Sequence, residues 1–179
     1  PRYFATHSLF DLHFKNLDSS KTIIKNINLR LIGKHNILNA AAATAVCINI
    51  GVKVSVIKES LKKFSGVQRR MTKIFMKNKN EFFDDYAHHP TEISSILEGV
   101  SKVYNRRKII AGFEPHRYSR VLSLKEAFSR SFAKSDLVLI CPLYAAGENR
   151  NLNFDLLKFE KLISKNYKNQ TVIVRNKKE

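Results

Sequence analysis

The sequence predicts an α/β protein in which a β-hairpin and two helices precede a mostly parallel, doubly wound sheet with flanking helices. Near the start, apolar residues alternate with polar ones at the period of a half-buried strand. Beyond residue 68, short apolar runs alternate with longer amphipathic segments. Repeated strand–helix units build parallel sheets, so the second part of the chain is predicted to form one.

The first element is a predicted antiparallel hairpin. Phe10, Leu12 and Phe14 alternate with polar residues and indicate a strand. Residues 16–20 supply turn-forming side chains, and the apolar pattern resumes over residues 23–31 as a second strand.

Two predicted helices follow Gly33. Alanine and larger apolar residues recur at spacings of three and four, and Gly51 ends this first helix. Ser55 is predicted to cap a second, shorter helix that runs to about Phe64.

The segment 65–70 interrupts the helical pattern and marks the predicted domain boundary, with residues 1–67 before it and 68–179 after it. The predicted strands of the second domain are 71–77, 81–85, 108–113, 137–141 and 171–174. Its predicted helices are 91–104, 122–133 and 154–166. Ligands of parallel sheets gather at the carboxyl ends of the strands. We therefore expect a site formed by the loops 84–90, 114–120 and 142–149.

Composition limits the classes of function. The net charge is +17, but the basic residues are dispersed without an aromatic-interleaved stripe. We expect no nucleic-acid partner, although a basic nucleic-acid-binding module stays an alternative. No apolar run approaches the roughly 18–20 residues that span a bilayer, and no signal peptide is evident, so we expect a cytoplasmic chain without membrane insertion. Cys47 and Cys141 are predicted to be buried free thiols.

The densest group of ionisable side chains lies at residues 84–93, Asp-Asp-Tyr-Ala-His-His-Pro-Thr-Glu-Ile. Asp85 ends a predicted strand, where an acidic residue can accept hydrogen bonds from a ribose diol. His88 and His89 are adjacent, so their side chains diverge, and no third ligand follows at a standard spacing; we predict no metal site. The structural alternative is that Thr91 caps the next helix and one histidine fills a polar gap, which explains one residue but not the group.

Two segments carry amides and arginines. Asn36 and Asn39 are three residues apart, so both amides face the same way on a helix and match the edge of an adenine base. A helix cap plus a surface asparagine is the simpler interpretation. Arg69 and Arg70, at the domain junction, can bind phosphate oxygens or can be solvated.

Residues 114–120, Glu-Pro-His-Arg-Tyr-Ser-Arg, place two guanidinium groups beside an imidazole. One helical turn would direct Arg117 and Arg120 at a carboxylate-sized anion. The alternative is a basic helix start, which is unfavourable for the helix dipole unless an anion is bound. In residues 144–148, Tyr-Ala-Ala-Gly-Glu, Glu148 could orient a basic partner.

Taken in order, these segments resemble the Mur ligase family, the ATP-dependent amide-forming enzymes of peptidoglycan assembly. The resemblance covers essentially the whole chain and rests on five motifs: GKHNILNA, GVQRR, DDYAHHPTEI, PHRYSR and YAAGE. Ser119 and Glu114 stand where the family pattern has Thr and Gln. The resemblance implies a Rossmann-like second domain, and a first domain that is the end of a central ATPase domain. The His-His-Pro and Pro-His-Arg-Tyr forms resemble those of the alanine-adding members.

The resemblance also implies roles for individual residues. The ATP-binding residues would be His35, Asn36, Asn39, Arg70 and Asp85. The residues that bind the amino acid would be Tyr86, His88, His116, Arg117 and Arg120. Of these, His88, His116 and Arg117 would be catalytic. The implied substrates are ATP, UDP-N-acetylmuramate and L-alanine, with Mg²⁺ as cofactor, and the implied reaction passes through an acyl phosphate. The oligomeric state is not predicted.

A glycine-rich phosphate loop ending in Gly-Lys-Ser or Gly-Lys-Thr does not occur in these 179 residues. The family's Mg²⁺ ligands and its UDP-sugar domain are also not recognisable here. We therefore expect an internal part of a longer ligase that is inactive alone. A family member that uses another amino acid, and a regulatory or scaffold protein that keeps the fold, remain alternatives.

Overall fold

The computed structural model describes residues 1–4, 6–15, 19–149, 153–166 and 170–174. Their contacts divide the chain into two compact units, each described by itself below. The first comprises Pro1–Tyr86 with Lys102–Tyr104, and the second comprises Ala87–Ser101 with Asn105–Glu179. The predicted domain boundary between residues 67 and 68 stays a prediction.

The first unit begins with a three-stranded antiparallel sheet, in the order β1-β2-β3. Its strands are β1 (Arg2–Tyr3), β2 (Ser8–Lys15) and β3 (Lys21–Leu29). The predicted hairpin is thus confirmed, with an irregularity in the pairing between Phe10 and Leu12. The two-residue strand β1 was not predicted. Of the predicted turn, residues 16–18 lie outside the described residues.

Two helices, α1 (Lys34–Asn49) and α2 (Val54–Lys63), follow the sheet and confirm the predicted order. The core between sheet and helices consists of Phe10, Ile24, Ile27, Leu29, Ile37 and Ala40. The prediction that Ser55 caps α2 is wrong. The cap position is Lys53, whose carbonyl oxygen accepts hydrogen bonds from the backbone N–H groups of Val56 and Ile57. Ser55 therefore lies inside the first turn, and no side chain caps this helix.

The strands β4 (Thr72–Lys77) and β5 (Asn80–Asp84) form a hairpin of their own. Their turn residues, Asn78 and Lys79, both have left-handed φ values, 51° and 66°, as a type I′ turn requires. A two-residue connection can join only antiparallel strands. These two strands are therefore antiparallel, and among the described residues they pair with no other strand. The sequence pattern had placed them in the series that builds the parallel sheet.

The second unit is built on a three-stranded parallel sheet in the order β6-β7-β8. The strands are β6 (Ile110–Phe113), β7 (Leu137–Ile140) and β8 (Gln170–Ile173). The helices are α3 (Pro90–Val103), α4 (Tyr118–Ser123), α5 (Lys125–Arg130) and α6 (Leu156–Asn166). Strands and helices thus confirm the predicted mixed α/β class with a parallel sheet and flanking helices.

The predicted helix 122–133 is the main difference from the sequence pattern in this unit. It consists of two short helices, α4 and α5, separated at Leu124, whose φ of −114° and ψ of 16° depart from helical geometry. Helix α4 also begins four residues earlier than predicted, at Tyr118.

The core of the second unit joins the sheet to its helices. Val138 and Ile140 share one face of the central strand and have no exposed surface, whereas Leu137 and Leu139 on the opposite face are partly buried. Phe113 packs against Phe128 and Phe132, with ring centroids 5.5 and 5.2 Å apart. The edge of the sheet that carries the loops after β6 and β7 is therefore fixed by a closely packed interior.

Cys47 and Cys141 are free, as predicted, but only partly buried. None of the helices that the described residues form combines the length and the apolar character needed to cross a membrane.

Candidate active site

The loops after β6 and β7 are joined by backbone hydrogen bonds that continue the sheet beyond its strands. The Tyr144 N–H donates to the Pro115 carbonyl at 2.8 Å, and the Arg117 N–H donates to the Tyr144 carbonyl at 2.9 Å. His116 and Tyr144 are thus paired as an isolated parallel bridge. Parallel neighbours end at the same edge of a sheet, so the polar residues of both loops meet there.

His116 lies at the centre of the group that these loops form. Its ring centroid is 5.2 Å from that of Tyr144 and 6.0 Å from that of His88, which precedes α3. Both histidines are partly buried. The structure therefore brings together two imidazoles that the sequence separates by 28 positions.

The surroundings of His116 favour its neutral form. Burial is the main cause that lowers the pKa of His116 below 6.5, and the positive charge of Arg120 adds to it. His88 and Arg117 lower this pKa further, whereas Glu114 raises it. At pH 7 the imidazole of His116 is therefore available as a proton acceptor.

Arg120 contributes a buried hydrogen-bond donor to this group. Its Nη1 atom is buried and has no hydrogen-bond partner among the residues that the structure describes. Burial of an unpartnered charged donor is costly, and buried polar groups in proteins are almost always bonded. Arg117 precedes α4 in a left-handed conformation, with φ at 68°. The two guanidinium groups are thus carried by the start of one helix.

The helix α4 begins at a carboxylate from the neighbouring loop. Residues 145–148 form a turn closed by the hydrogen bond from the Glu148 N–H to the Ala145 carbonyl, with left-handed φ values of 52° at Ala146 and 86° at Gly147. Glu148 then accepts two hydrogen bonds from Ser119, one from its N–H at 3.1 Å and one from its hydroxyl at 2.5 Å.

These bonds change the interpretation of the basic helix start. The hydroxyl of Ser119, and then its N–H, lowers the pKa of Glu148, so the carboxylate is ionised at neutral pH. The sequence pattern required an anion at this helix start, and Glu148 provides one from within the chain.

The two adjacent histidines of residues 88–89 have different surroundings. His89 precedes α3, and its Nδ1 atom accepts a hydrogen bond from the Thr91 N–H at 3.3 Å. Glu92 accepts the N–H groups of His88 and His89 at 3.1 and 3.2 Å, and Pro90 occupies the first helical position. The alternative that Thr91 caps the helix is therefore wrong, because His89 holds the cap position.

A second group of predicted site residues lies around the β4–β5 hairpin of the first unit. The Met71 N–H donates to Asp85 Oδ2 at 2.8 Å, and the Tyr86 N–H donates to the Arg69 carbonyl at 2.8 Å. The Arg69 guanidinium lies 4.5 Å above the Tyr86 ring centroid. Arg69 and Met71 have left-handed φ values, 58° and 50°, so the exposed Arg70 is held between two strained residues.

The remaining predicted residues lie at the start of α1, also in the first unit. Asn36 is buried, and its Nδ2 donates to the Ile32 carbonyl at 2.8 Å, whereas Asn39 is exposed. The interpretation of Asn36 as a helix cap is wrong, because the cap position is Gly33 and no side chain bonds there. A Cβ atom on Gly33 would lie 2.9 Å from the His35 ring.

The structure thus groups part of the predicted site. His88, His116, Arg117 and Arg120 lie together in the second unit. The residues in the first unit are His35, Asn36, Asn39, Arg70, Asp85 and Tyr86. The sequence pattern did not select Tyr144, Ser119 or Glu92 as site residues. Among the described ranges, no three or more His, Cys, Asp or Glu side chains are grouped to hold a metal ion.

Comparison with known proteins gives consistent matches. The family model "Mur ligase, glutamate ligase domain" matches residues 69–177. UDP-N-acetylmuramate–L-alanine ligase of Pelagibacter ubique (strain HTCC1062) is 47% identical over 171 residues, which is 95% of this chain and 37% of that protein. The enzyme with the same name from Brachyspira hyodysenteriae (strain ATCC 49526 / WA1) is 50% identical over 119 residues, 66% of this chain and 26% of that protein.

Solved structures agree on the fold. The UDP-N-acetylmuramate–alanine ligase of Thermotoga maritima superposes with a TM-score of 0.72 at 22% identity, over 97% of this chain and 36% of that one. A murein peptide ligase of Psychrobacter arcticus 273-4 superposes with a TM-score of 0.63 at 26% identity, over 96% of this chain and 35% of that one. The chain therefore spans between about a quarter and little more than a third of these proteins.

We expect His89→Ala to lower the free energy of unfolding by about 1 kcal/mol, because α3 loses its cap. His89→Asn keeps an acceptor at that position and is expected to retain most of the stability. Urea denaturation measures both, and hydrogen exchange at the Thr91 N–H reports the local bond. The exposed His13 provides a matched control, His13→Ala. Equal losses in the Ala and Asn variants would contradict a capping role.

We expect the native-state pKa of His116 to lie below 6.5, as measured by NMR titration of its ring protons. The unfolded chain then binds the additional proton, so stability falls as the pH drops below 6.5 and is unaffected by this group above it. Arg120→Gln removes a cation and should raise the pKa of His116 without fully restoring 6.5, because burial is the larger cause. Arg130→Gln, on the exposed side of α5, should leave it unchanged.

Proposed function

This chain belongs to the Mur ligase family, and we propose that it is part of a UDP-N-acetylmuramate–L-alanine ligase, which uses ATP to join L-alanine to UDP-N-acetylmuramate. The names of its curated relatives support this specificity. We further propose that residues 1–67 end a central ATP-binding domain and that residues 68–179 belong to the carboxy-terminal domain.

The observation that carries the proposal is the unpartnered, buried Nη1 of Arg120. A carboxylate would satisfy this donor through a charge-assisted hydrogen bond, which is roughly twice as strong as a neutral one. L-alanine carries such a carboxylate, and Arg117 adds positive charge beside it. We assign Arg120 and Arg117 to the carboxylate of the incoming amino acid.

The reaction also requires an uncharged amine, which forms when the ammonium group of L-alanine loses a proton to solvent. In the proposed step, the nitrogen lone pair of L-alanine attacks the carbonyl carbon of the muramyl acyl phosphate, and phosphate leaves with the electron pair of the broken C–O bond. The nitrogen then gives up a proton. His116, whose pKa is lowered by burial and by the charge of Arg120, is neutral and can accept that proton.

Negative charge develops on the carbonyl oxygen during this attack, and fixed positive groups stabilise such charge. Arg117 places such a charge beside His116, and His88 adds an imidazole whose ring centroid lies 6.0 Å from that of His116. We therefore propose His88, His116 and Arg117 as the catalytic group. Tyr86 is proposed to contact the amino acid, although its described contact is with Arg69 in the first unit.

For the nucleotide, we propose contacts from the first unit. Asn36, whose Nδ2 donates to the Ile32 carbonyl, is proposed to bind the adenine together with Asn39 and His35. Arg70 is proposed to bind phosphate, and it lies between two residues with strained left-handed φ values, Arg69 and Met71. Asp85, whose Oδ2 accepts the Met71 N–H, is proposed to bind the ribose.

Mg²⁺ and the phosphate loop require residues of other kinds. The described residues supply no group fit to hold a metal ion, so we assign no Mg²⁺ ligand within them. We propose that the Mg²⁺ ligands, the phosphate loop and the UDP-sugar site belong to segments beyond these 179 residues, and that the chain alone does not turn over ATP. The proposed use of ATP suits a cytoplasmic location.

A ligation assay on the full-length ligase that contains this chain tests the proposal. We expect ADP release to require UDP-N-acetylmuramate and to be fastest with L-alanine in a panel of amino acids. A preference for another amino acid would make the protein a different member of the family. No amino-acid-dependent ADP release at all would favour a regulatory or scaffold role, and binding to duplex DNA with a steep salt dependence would favour a nucleic-acid-binding module.

The same assay tests the carboxylate site. Arg120→Ala should raise KM for L-alanine about 10- to 100-fold, the loss expected for a charge-assisted hydrogen bond worth about 1.5–3 kcal/mol. KM for ATP should change little. Arg130→Ala removes an exposed arginine of the same unit and should change neither constant. An unchanged KM for L-alanine in Arg120→Ala would remove the basis of the assignment.

A further inference from the structure

We propose that Glu148 is a positioning residue for amino-acid binding: its carboxylate, bonded to Ser119, fixes the first turn of α4, so that Arg117 and Arg120 are held in place for the substrate carboxylate. This inference rests on the proposed function. Glu148 itself contacts neither reacting group in the mechanism above, and acts through the arginines.

The contact is a two-point clamp. One carboxylate oxygen of Glu148 accepts the Ser119 N–H and the other accepts the Ser119 hydroxyl. Ser119 stands between Arg117 and Arg120 in the sequence, two residues after one and one before the other. Fixing its main chain and side chain together therefore fixes the turn from which both guanidinium groups project.

The loop after β7 also holds the start of α4 at a second residue, Arg117. The Tyr144 carbonyl accepts the Arg117 N–H at 2.9 Å, and Arg117 adopts a left-handed φ of 68°. A non-glycine residue in that conformation is unfavourable by itself and persists only where its surroundings impose it. Tyr144 and Glu148 thus restrain α4 from one side of the loop after β7.

The turn that directs Glu148 toward Ser119 also has a demanding geometry. Ala146 is left-handed although it is not glycine, and Gly147 follows with a φ of 86°. The hydrogen bond from the Glu148 N–H to the Ala145 carbonyl closes this turn. This turn places the Glu148 carboxylate where it accepts both donors of Ser119.

The clamp also bears on where a substrate anion binds. The N–H groups of a helix start attract anions, and they would compete with the guanidinium groups for a carboxylate. Glu148 already occupies the Ser119 N–H. A carboxylate ligand cannot use that donor, whereas Arg120 Nη1 has no hydrogen-bond partner in the described part of the chain.

Steady-state kinetics of the full-length ligase test the proposal. Glu148→Gln removes the charge and leaves one acceptor oxygen for two donors. We expect it to raise KM for L-alanine about tenfold, the effect of losing one charge-assisted hydrogen bond, with KM for ATP within about twofold of the wild type. Ser119→Ala should raise KM for L-alanine less, and Ser119→Thr, which keeps the hydroxyl, should restore it.

The matched control is Glu126→Gln, which makes the same chemical change at an exposed glutamate of α5 and should leave both constants unchanged. If Glu148→Gln leaves KM for L-alanine unchanged, or lowers kcat with both substrates' KM values unaltered, the positioning role is overturned. If that variant does not fold, Ser119→Ala decides, and a KM for L-alanine equal to that of the wild type overturns the proposal. A wild-type enzyme without L-alanine-dependent ADP release refutes the proposed function instead.

Discussion

Parallel pairing of β6 with β7 is the constraint on which the rest of the second unit depends. The two strands run in the same direction over Phe113 and Ile140, so their following loops leave from one edge. Because hydrogen bonding continues through Pro115 and Tyr144, these loops are held as an extension of the sheet rather than as free connections. The buried core beneath them keeps the main chain in place. The position of His116 is therefore set by the sheet, and its pKa is lowered first by burial and then by the charge of Arg120 on the adjoining helix.

Neighbouring ionisable residues at this edge of the sheet have different roles, one structural and one in the candidate site. His89 caps α3 through its ring, while His88, one position earlier, lies beside His116. Glu92 and Glu148 each bond to the main chain near the start of a helix. Helix capping and the placement of charged side chains are thus achieved by the same bonds, so that a single substitution here would alter both stability and the site.

Features that depend on the local sequence pattern could be predicted, whereas features that depend on contacts between distant residues could not. Strands and most helices follow from apolar periodicity, and the site loops follow from the topology of a parallel sheet. The start of α4 could not be predicted, because it is stabilised by Glu148, which lies 29 residues from Ser119. At α2, Ser55 has the right chemistry for a cap, but the cap position is Lys53, so the helix begins two residues earlier than a Ser55 cap would need. Three-dimensional contacts also decide which predicted residues belong to the same unit. No spacing in the sequence indicated that Tyr86 belongs to the first unit and His88 to the second.

At Gly33, the lack of a Cβ atom leaves room for the side chain of His35. Its φ of 97° suits glycine, and the space that a Cβ would fill is occupied by the ring of His35. Any larger residue would have to displace that imidazole as well as strain the main chain. The observed position of the His35 ring therefore depends on the absence of a side chain at Gly33. A substitution at residue 33 would force the His35 ring to move as well as strain the main chain.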